Sequence, residues 1–215
     1  MNANETETVR RQLEAAYDKE RKRLARFASR DTPQGEYAAP AFGEGSVASG
    51  VLLIGEAPGA EETKQGRPFV GRAGKQLDAL FASFGITRDN AYITNVVKYR
   101  PVVRSERSLR NRTPGPAEVE DALVLLKREI VLIRPRVVLT LGNTPLKAVF
   151  RLCGEKPGVV GEHHGRRIPL MLHGASFELI PLYHPASGIY NRKLVEVMER
   201  DAEQVGQTLL ALSLT

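Results

Sequence analysis

The sequence predicts an α/β fold in which a mainly parallel sheet carries helices on both faces. Short apolar runs typical of strands alternate along the chain with longer segments of helical periodicity, which is the pattern of this class. The length of 215 residues suits one domain with a substantial core. Hydrophobic residues make up 42% and charged residues 26% of the chain, values that argue against wholesale disorder.

The periodicity places strands and helices in alternation along most of the chain. The predicted strands are residues 51–55, 91–97, 136–142, 165–172 and 177–185. The predicted helices are residues 6–27, 73–85, 116–134, 143–150 and 191–213. Residues 28–50 are rich in Pro, Gly and Ser, which predicts a long surface connection.

Local signals at the helix ends support these assignments. Gly85 is suited to ending the second predicted helix. The third predicted helix has a proline near its first turn, which is a typical helix start. Asn143 or Thr144 is the expected cap of the fourth helix, because both side chains can accept a hydrogen bond from a free backbone amide.

Charge and cysteine content narrow the function classes. A net charge of +6 favours an anionic partner such as nucleic acid or phosphate. No apolar run approaches the roughly 18 residues of a membrane span, and the charged N-terminus lacks the apolar core of a signal peptide. The single cysteine, Cys153, excludes an internal disulfide framework and any four-cysteine metal or iron–sulfur site within one chain. A reducing, cytoplasmic setting is expected.

Three loops leave the carboxyl ends of predicted strands, where open α/β sheets bind ligands: residues 55–71, 95–115 and 184–191. The segment GEAPGAEETKQGRPFVGRAG contains the first of these loops and fits neither a G-x-G-x-x-G fingerprint nor a P-loop. Its glycines can still expose backbone N–H groups to a ligand. Phe69, near the tip of the loop, is either a core plug or a platform on which a flat ring stacks.

The second loop is strongly basic. It holds one acidic residue, Glu106, against six cations, which are Lys98, Arg100, Arg104, Arg107, Arg110 and Arg112. Such a loop is either a solvated surface or a site for a phosphate backbone. Asn95 stands where the preceding strand ends, and it is either a turn residue or an amide that reads the edge of a base.

The third loop holds a histidine and an apolar pair. His184 precedes a proline, which restricts its backbone to extended geometry, and a lone histidine of this kind is either structural or catalytic. Ile189 and Tyr190 are followed by Arg192 and Lys193. An apolar wedge flanked by cations is suited to pushing a base out of a DNA stack.

Together these motifs resemble the uracil-DNA glycosylase superfamily and, within it, the family 4 (iron–sulfur) enzymes. The resemblance rests on GEAPGAEETKQGRPFVGRAG, ITNVVKYRP and YHPASG, supported by FGEG and RPRVVLTLGNTPLKA, and it covers about residues 41–192. It implies a three-layer α/β/α fold with a central four-stranded, mainly parallel sheet. Residues 1–40 would be an N-terminal helix and connection, and residues 41–215 the glycosylase-like part of a single globular domain.

The resemblance implies three catalytic residues. Glu56 would lie at the scissile sugar–base bond, and His184 would face uracil O2. Asn95 would hydrogen-bond the uracil edge and distinguish uracil from cytosine.

It also implies the remaining base-binding and DNA-binding residues. Phe69 would stack on the uracil, Glu62 matches a further pocket glutamate, and Ala57 matches a position that contacts the base through its backbone. The expected DNA-binding residues are those of the basic loop and the wedge: Lys98, Arg100, Arg104, Arg107, Arg110, Arg112, Ile189, Tyr190 and Arg192.

The implied reaction is hydrolysis of the N-glycosidic bond of deoxyuridine in DNA, which releases uracil and leaves an abasic site for base excision repair. We expect a monomeric, monofunctional glycosylase that acts on uracil in single- or double-stranded DNA. Two alternatives stay open: a glycosylase for another deaminated base such as hypoxanthine or xanthine, and a protein that binds uracil or abasic DNA without efficient cleavage.

The chain departs from the family pattern at several positions. Tyr99 and Ala122 stand at two positions where family 4 enzymes carry cluster cysteines, so we expect no iron–sulfur cluster and no other cofactor. Asn111 stands where related glycosylases carry a histidine that crosslinks to DNA, so permanent crosslinking is not expected. Ala57 replaces the aspartate of family 1 enzymes, so a strong general base is missing there.

Overall fold

The computed structural model describes residues 1–28, 39–82, 85–105, 108–190 and 192–213. Its strands are β1 (Glu44–Gly45), β2 (Val51–Gly55), β3 (Tyr92–Asn95), β4 (Val102–Ser105), β5 (Ser108–Asn111), β6 (Val137–Leu141), β7 (Ile168–Leu172) and β8 (Ala175–Leu182). Its helices are α1 (Ala3–Ala28), α2 (Ala60–Gln65), α3 (Arg72–Ala82), α4 (Pro116–Ile133), α5 (Asn143–Cys153), α6 (Val160–His163), α7 (Pro185–Tyr190) and α8 (Arg192–Ser213). Every predicted strand and helix has a counterpart among them.

Six strands form one sheet in the order β1-β3-β2-β6-β8-β7. The four central strands are parallel, and the edge strands β1 and β7 run antiparallel to their neighbours. The structure therefore confirms the α/β class and the central four-stranded parallel sheet, to which it adds two antiparallel edge strands. Because the parallel strands end at one edge of the sheet, the loops that follow them meet there.

Helices cover both faces of this sheet. Along β2, Leu52 and Ile54 belong to one buried core cluster and Leu53 to the other, because successive side chains of a strand point to opposite faces. The first cluster includes residues of α1, α4 and α5, and the second includes residues of α3 and α8. Within the described residues, no helix combines the length and the apolar character that crossing a membrane requires.

The start of α5 differs from the prediction. Gly142 occupies the N-cap position with a φ of 91°, which favours glycine, and no side-chain hydrogen bond caps the helix. The prediction that Asn143 or Thr144 caps α5 is wrong because both side chains bind elsewhere. Asn143 Oδ1 accepts a hydrogen bond from the Val160 amide at 2.8 Å, and Thr144 Oγ1 donates one to Glu56 Oε2 at 2.6 Å.

All three predicted strand-end loops contain regular structure, and the first of them contains the short helix α2. In the basic loop, β4 and β5 pair as an antiparallel hairpin that extends from Val102↔Asn111 to Ser105↔Ser108. Its tip, residues 106–107, lies outside the described residues. The third loop contains the short helix α7. Periodicity did not reveal these elements because each is short and lacks a repeated apolar pattern.

The placement of α4 predicts a contrast between two of its residues. Leu126 is completely buried, whereas Val124 is 77% exposed. Leu126→Ala should lower the free energy of unfolding by about 2–5 kcal/mol, because it removes buried methyl groups and leaves a cavity. Val124→Ala should change it by less than about 0.5 kcal/mol. Chemical denaturation measures both, and equal effects would contradict the orientation of this helix.

Candidate active site

A cleft of about 920 Å³ opens at the carboxyl ends of the parallel strands. Its walls come from the loops after β2, β3, β6 and β8 and from the base of the β4–β5 hairpin. Every residue predicted for the base pocket lines this cleft: Glu56, Ala57, Glu62, Phe69, Asn95 and His184. Three loops that are distant in sequence therefore meet in one site, although the role of each residue stays a prediction.

Glu56 directly follows β2, and its carboxylate is held by the first turn of α5. Thr144 Oγ1 donates a hydrogen bond to Glu56 Oε2 at 2.6 Å. The structure thus fixes the direction of the Glu56 carboxylate at the cleft.

Glu62 closes the loop that contains it. Its Oε1 accepts a hydrogen bond from the Gly71 amide at 2.7 Å, and its Oε2 accepts one from the Gly59 amide at 3.1 Å. The side chain is 9% exposed, so both oxygens are used to hold the two ends of the loop together. Glu62 therefore lines the cleft, but its carboxylate is used to hold the backbone at Gly59 and Gly71.

Phe69 is held in an unusual backbone conformation, with a φ of 54°. The Arg88 guanidinium donates hydrogen bonds to the carbonyl oxygens of Pro68, at 3.1 Å, and Phe69. A Cβ on Gly74 would lie 1.8 Å from the Phe69 carbonyl oxygen, so this turn requires a glycine there. The ring is 6% exposed and belongs to the second core cluster, yet it also lines the cleft. Phe69 is therefore packed in the core and available at the cleft wall.

Gly55 allows the Phe69 ring and the Asn95 amide to approach the end of β2. A Cβ at this position would lie 2.3 Å from Phe69 Cζ and 2.4 Å from Asn95 Oδ1. Asn95 is the last residue of β3, is paired in register with Gly55, and is 2% exposed. Among the described residues its side-chain amide has no hydrogen-bond partner, so its donors and acceptor are available to a ligand in the cleft.

His184 follows β8 on the opposite side of the cleft. Its Nδ1 accepts a hydrogen bond from the Ala186 amide at 3.1 Å, so the neutral ring carries its proton on Nε2. Burial lowers the pKa of His184 below its usual 6.5, although the nearby negative charge of Glu62 acts in the opposite direction. At neutral pH this side chain is therefore an uncharged hydrogen-bond donor.

Comparison with known families matches residues 42–205 to the Uracil DNA glycosylase superfamily. The chain belongs to this superfamily. It is therefore a hydrolase of the glycosidase class, from a family of DNA-repair enzymes.

Curated relatives resemble the chain over most of their length. A Type-4 uracil-DNA glycosylase of Archaeoglobus fulgidus is 36% identical over 77% of this chain and 79% of its own. A Type-4 uracil-DNA glycosylase of Pyrobaculum aerophilum is 38% identical over 74% of this chain and 78% of its own. One from Thermotoga maritima is 38% identical over 75% and 79%, respectively.

The glycosylase cleft does not include Lys98. The side chain is 3% exposed, and its ammonium group lies 2.6 Å from Glu129 Oε2 inside the protein. Burial lowers the pKa of Lys98, while the charge of Glu129 opposes this shift. The prediction that Lys98 contacts DNA is wrong, because a buried and paired ammonium group cannot reach a phosphate.

The described arginines of the basic loop lie on or beside the β4–β5 hairpin, whereas Ile189 and Tyr190 belong to α7 and Arg192 begins α8. Arg110 is exposed on β5, and Arg100 donates from Nε to Asn111 Oδ1 at 2.7 Å. Arg112 lines the cleft and donates from Nη2 to Glu118 Oε1 at 2.9 Å. Arg107 lies outside the described residues, and so do the side chains of Arg104, Ile189, Tyr190 and Arg192.

Two polar cleft residues on α5 are among those that had not been predicted from the sequence as site residues. Thr144 orients Glu56, and Lys147 is an exposed cation on the next turn of α5. Both follow β6, whose carboxyl end is at the same edge of the sheet as those of the other parallel strands. The strand-end rule that selected three loops would also have selected this one.

Tyr99 and Ala122, which the resemblance places at two cluster-cysteine positions, supply no thiolate for an iron–sulfur cluster. Tyr99 is 6% exposed and donates from its hydroxyl to Glu118 Oε1 at 3.0 Å, while Ala122 packs in the first core cluster. Cys153 lies at the end of α5, where burial raises the pKa of its thiol to about 11. Within the described residues, no group of three or more His, Cys, Asp or Glu is arranged to hold a metal ion.

The environment of His184 predicts its protonation. Nitrogen-detected NMR of the imidazole should show the Nε2–H tautomer at pH 7 and a titration midpoint below 6.5. Because the folded-state pKa is lowered, protonation favours the unfolded chain. The contribution of His184 to stability is therefore retained above pH 6.5 and lost as the pH falls from 6.5 toward the folded-state pKa. A proton on Nδ1, or a midpoint above 6.5, would contradict this geometry.

Proposed function

We propose that this chain is a monofunctional uracil-DNA glycosylase of base excision repair. It hydrolyses the N-glycosidic bond of deoxyuridine in DNA, releases uracil and leaves an abasic site. The observation that carries the proposal is the meeting of the Phe69 ring and the Asn95 amide over Gly55, in a cleft that also contains Glu56 and His184. The similar proteins of known type are named Type-4 uracil-DNA glycosylases, which supports uracil as the base that this chain releases.

Phe69 and Asn95 recognise the base in this proposal. The ring supplies a flat apolar surface on which uracil stacks. The Asn95 amide accepts a hydrogen bond from uracil N3–H and donates one to O4. Cytosine presents an acceptor at N3 and a donor at the 4-amino group, so a fixed amide orientation discriminates against it.

Bond cleavage requires charge stabilisation on both sides of the scissile bond. As the C1′–N1 bond breaks, its electron pair passes to the uracil ring, and Nε2–H of His184 donates to the charge that develops on O2. The carboxylate of Glu56 faces the positive charge on the sugar. Water then forms the new bond to C1′, and the proton that water loses balances the charge of the uracil anion.

Glu56 is the cleft carboxylate that is best suited to this role. Of the other glutamates that line the cleft, Glu61 pairs with Lys64 at 2.7 Å and Glu62 accepts two backbone hydrogen bonds. Glu56 accepts the Thr144 hydroxyl on Oε2, and the described residues provide no hydrogen bond to its Oε1. Because Ala57 supplies no second carboxylate, water activation depends on Glu56 in this proposal.

The β4–β5 hairpin supplies part of the DNA surface. Its base forms one wall of the cleft. In this proposal its arginines contact phosphates on either side of an extruded nucleotide. Ile189 and Tyr190 stay the proposed wedge residues. Glu118 fastens the hairpin to α4, because its carboxylate accepts hydrogen bonds from Tyr99, Arg112 and the Gly115 amide.

We also propose that catalysis needs no iron–sulfur cluster. The single cysteine of the chain and the hydrogen bond between Tyr99 and Glu118 support this view. The Arg112 guanidinium beside Glu118 lowers the pKa of that carboxyl, so the ionic contact persists in mildly acidic solution. Monomeric state and cytoplasmic location also stay proposals.

A base-release assay tests the function. Purified protein should cleave oligonucleotides that carry uracil, read out by alkaline cleavage of the abasic site, and should act more slowly on hypoxanthine and xanthine. Asn95→Ala and His184→Ala should each lower the single-turnover rate by about 10²–10³-fold, because each removes a preorganised hydrogen bond. His173→Ala, at an exposed histidine in the β7–β8 turn, is the matched control and should keep the wild-type rate.

Three outcomes would overturn the proposal. Uracil strands that stay intact at enzyme excess, while the protein still binds them, would identify a binding protein. Faster release of hypoxanthine or xanthine would identify a different substrate. A heat-stable shifted band on a denaturing gel would show covalent trapping and would contradict the expectation drawn from Asn111.

A further inference from the structure

A buried polar network lies behind the cleft and connects α1, β3 and α4. Lys98 is 3% exposed and Glu129 is 0% exposed, and the two side chains pair at 2.6 Å. Tyr17 on α1 donates to Glu129 Oε1 at 2.6 Å, and the Tyr17 and Tyr92 hydroxyls lie 2.7 Å apart. Thr94 Oγ1 donates to the same carboxylate oxygen at 3.0 Å.

The ammonium group of Lys98 makes three hydrogen bonds. One goes to Glu129 Oε2 at 2.6 Å, one to Thr94 Oγ1 at 2.6 Å, and one to the backbone oxygen of Asn95 at 2.5 Å. A lysine has three N–H donors, so this group is fully satisfied. Its third bond reaches the residue whose side chain stands in the cleft.

The backbone around Asn95 is therefore held from two sides. On the β2 side, the Val96 and Val97 amides donate to the carbonyl oxygens of Gly55, at 2.9 Å, and Glu56, at 3.1 Å. On the other side, Lys98 binds the Asn95 carbonyl. Because the peptide plane is fixed in this way, the direction in which the Asn95 side chain leaves the backbone is fixed as well.

We propose that Lys98 and Glu129 are positioning residues for Asn95. The pair orients the Asn95 backbone from inside the protein and thereby sets the rate of base release and the choice of base, without contacting DNA. The inference rests on the proposed function, in which Asn95 reads the base edge. Neither Lys98 nor Glu129 lines the cleft, so a direct role in binding is excluded for this geometry.

Stability alone is a poor explanation for this pair. Removing two charges from water carries a large cost, and replacing a buried ion pair by neutral side chains of similar volume is often neutral or stabilising. A role in orientation therefore predicts an effect on catalysis that is separable from folding.

The test is a neutral replacement of both partners, Lys98→Met with Glu129→Gln, because either single change would leave an unpaired buried charge. Methionine preserves the length of the side chain, and glutamine keeps an acceptor for Tyr17 and Thr94. The matched control is Arg23→Met with Asp121→Asn. This pair also joins α1 to α4, at 2.6 Å, but its contact lies at the surface and does not involve Asn95.

We expect the Lys98/Glu129 variant to fold and to bind abasic-site DNA within twofold of wild type, while its single-turnover rate on uracil falls by about 10–100-fold. The control variant should keep the wild-type rate. In an Asn95→Ala background, the Lys98/Glu129 change should lower the rate by less than twofold further, because its effect acts through the Asn95 amide. An equal loss in both backgrounds, or no loss in either, would overturn the inference.

A second measurement keeps this inference separate from the proposed function. The side-chain amide signals of Asn95 in ¹H–¹⁵N NMR of the free protein should shift or broaden in the Lys98/Glu129 variant and stay unchanged in the Arg23/Asp121 variant. If wild-type protein releases no uracil but this contrast is seen, the proposed function fails and the positioning role stands. If the amide signals are identical in wild type and both variants, the positioning role fails.

Discussion

The site depends on a missing side chain at the end of β2. Gly55 leaves the space that the Phe69 ring and the Asn95 amide occupy together, and any Cβ there would collide with both. Other parts of the structure hold these two groups in place. Arg88 binds the carbonyl of the strained Phe69 turn, and Lys98 binds the Asn95 carbonyl from the interior. The two groups proposed to stack on the base and to read its edge are thus preorganised before any ligand arrives.

Two other residues of the cleft, Glu56 and His184, are oriented in a different way. Here side chains that carry or meet charge are oriented by hydrogen bonds from neighbouring helices. Thr144 at the start of α5 fixes Glu56, and the Ala186 amide at the start of α7 fixes the tautomer of His184. In the proposed reaction, the Glu56 carboxylate and the neutral His184 donor face the two halves of a polarised glycosidic bond. Little reorganisation is needed when charge develops, and this is the condition under which electrostatic stabilisation is largest.

Much of this site could be predicted from the sequence, and the exceptions have physical causes. The base-pocket residues of three loops meet because parallel strands end at one edge of the sheet, a rule that needs no coordinates. The burial of Lys98 was not predictable from its basic loop, because its partner Glu129 lies on another element, α4. The Gly142 cap was missed because Asn143 and Thr144 make tertiary contacts. At these positions, side-chain contacts with distant elements override the local preferences on which the sequence prediction was based.

The close approach at Gly55 is tested most directly by Gly55→Ala, measured as the single-turnover rate of uracil release. Gly66→Ala is the matched control in the same loop. An alanine at this positive φ is strained, but its Cβ would meet nothing within 4 Å. The close approach at Gly55 predicts that both variants fold, that Gly66→Ala stays within about threefold of the wild-type rate, and that Gly55→Ala loses at least about 100-fold. A Gly55→Ala enzyme with near-wild-type activity would contradict it.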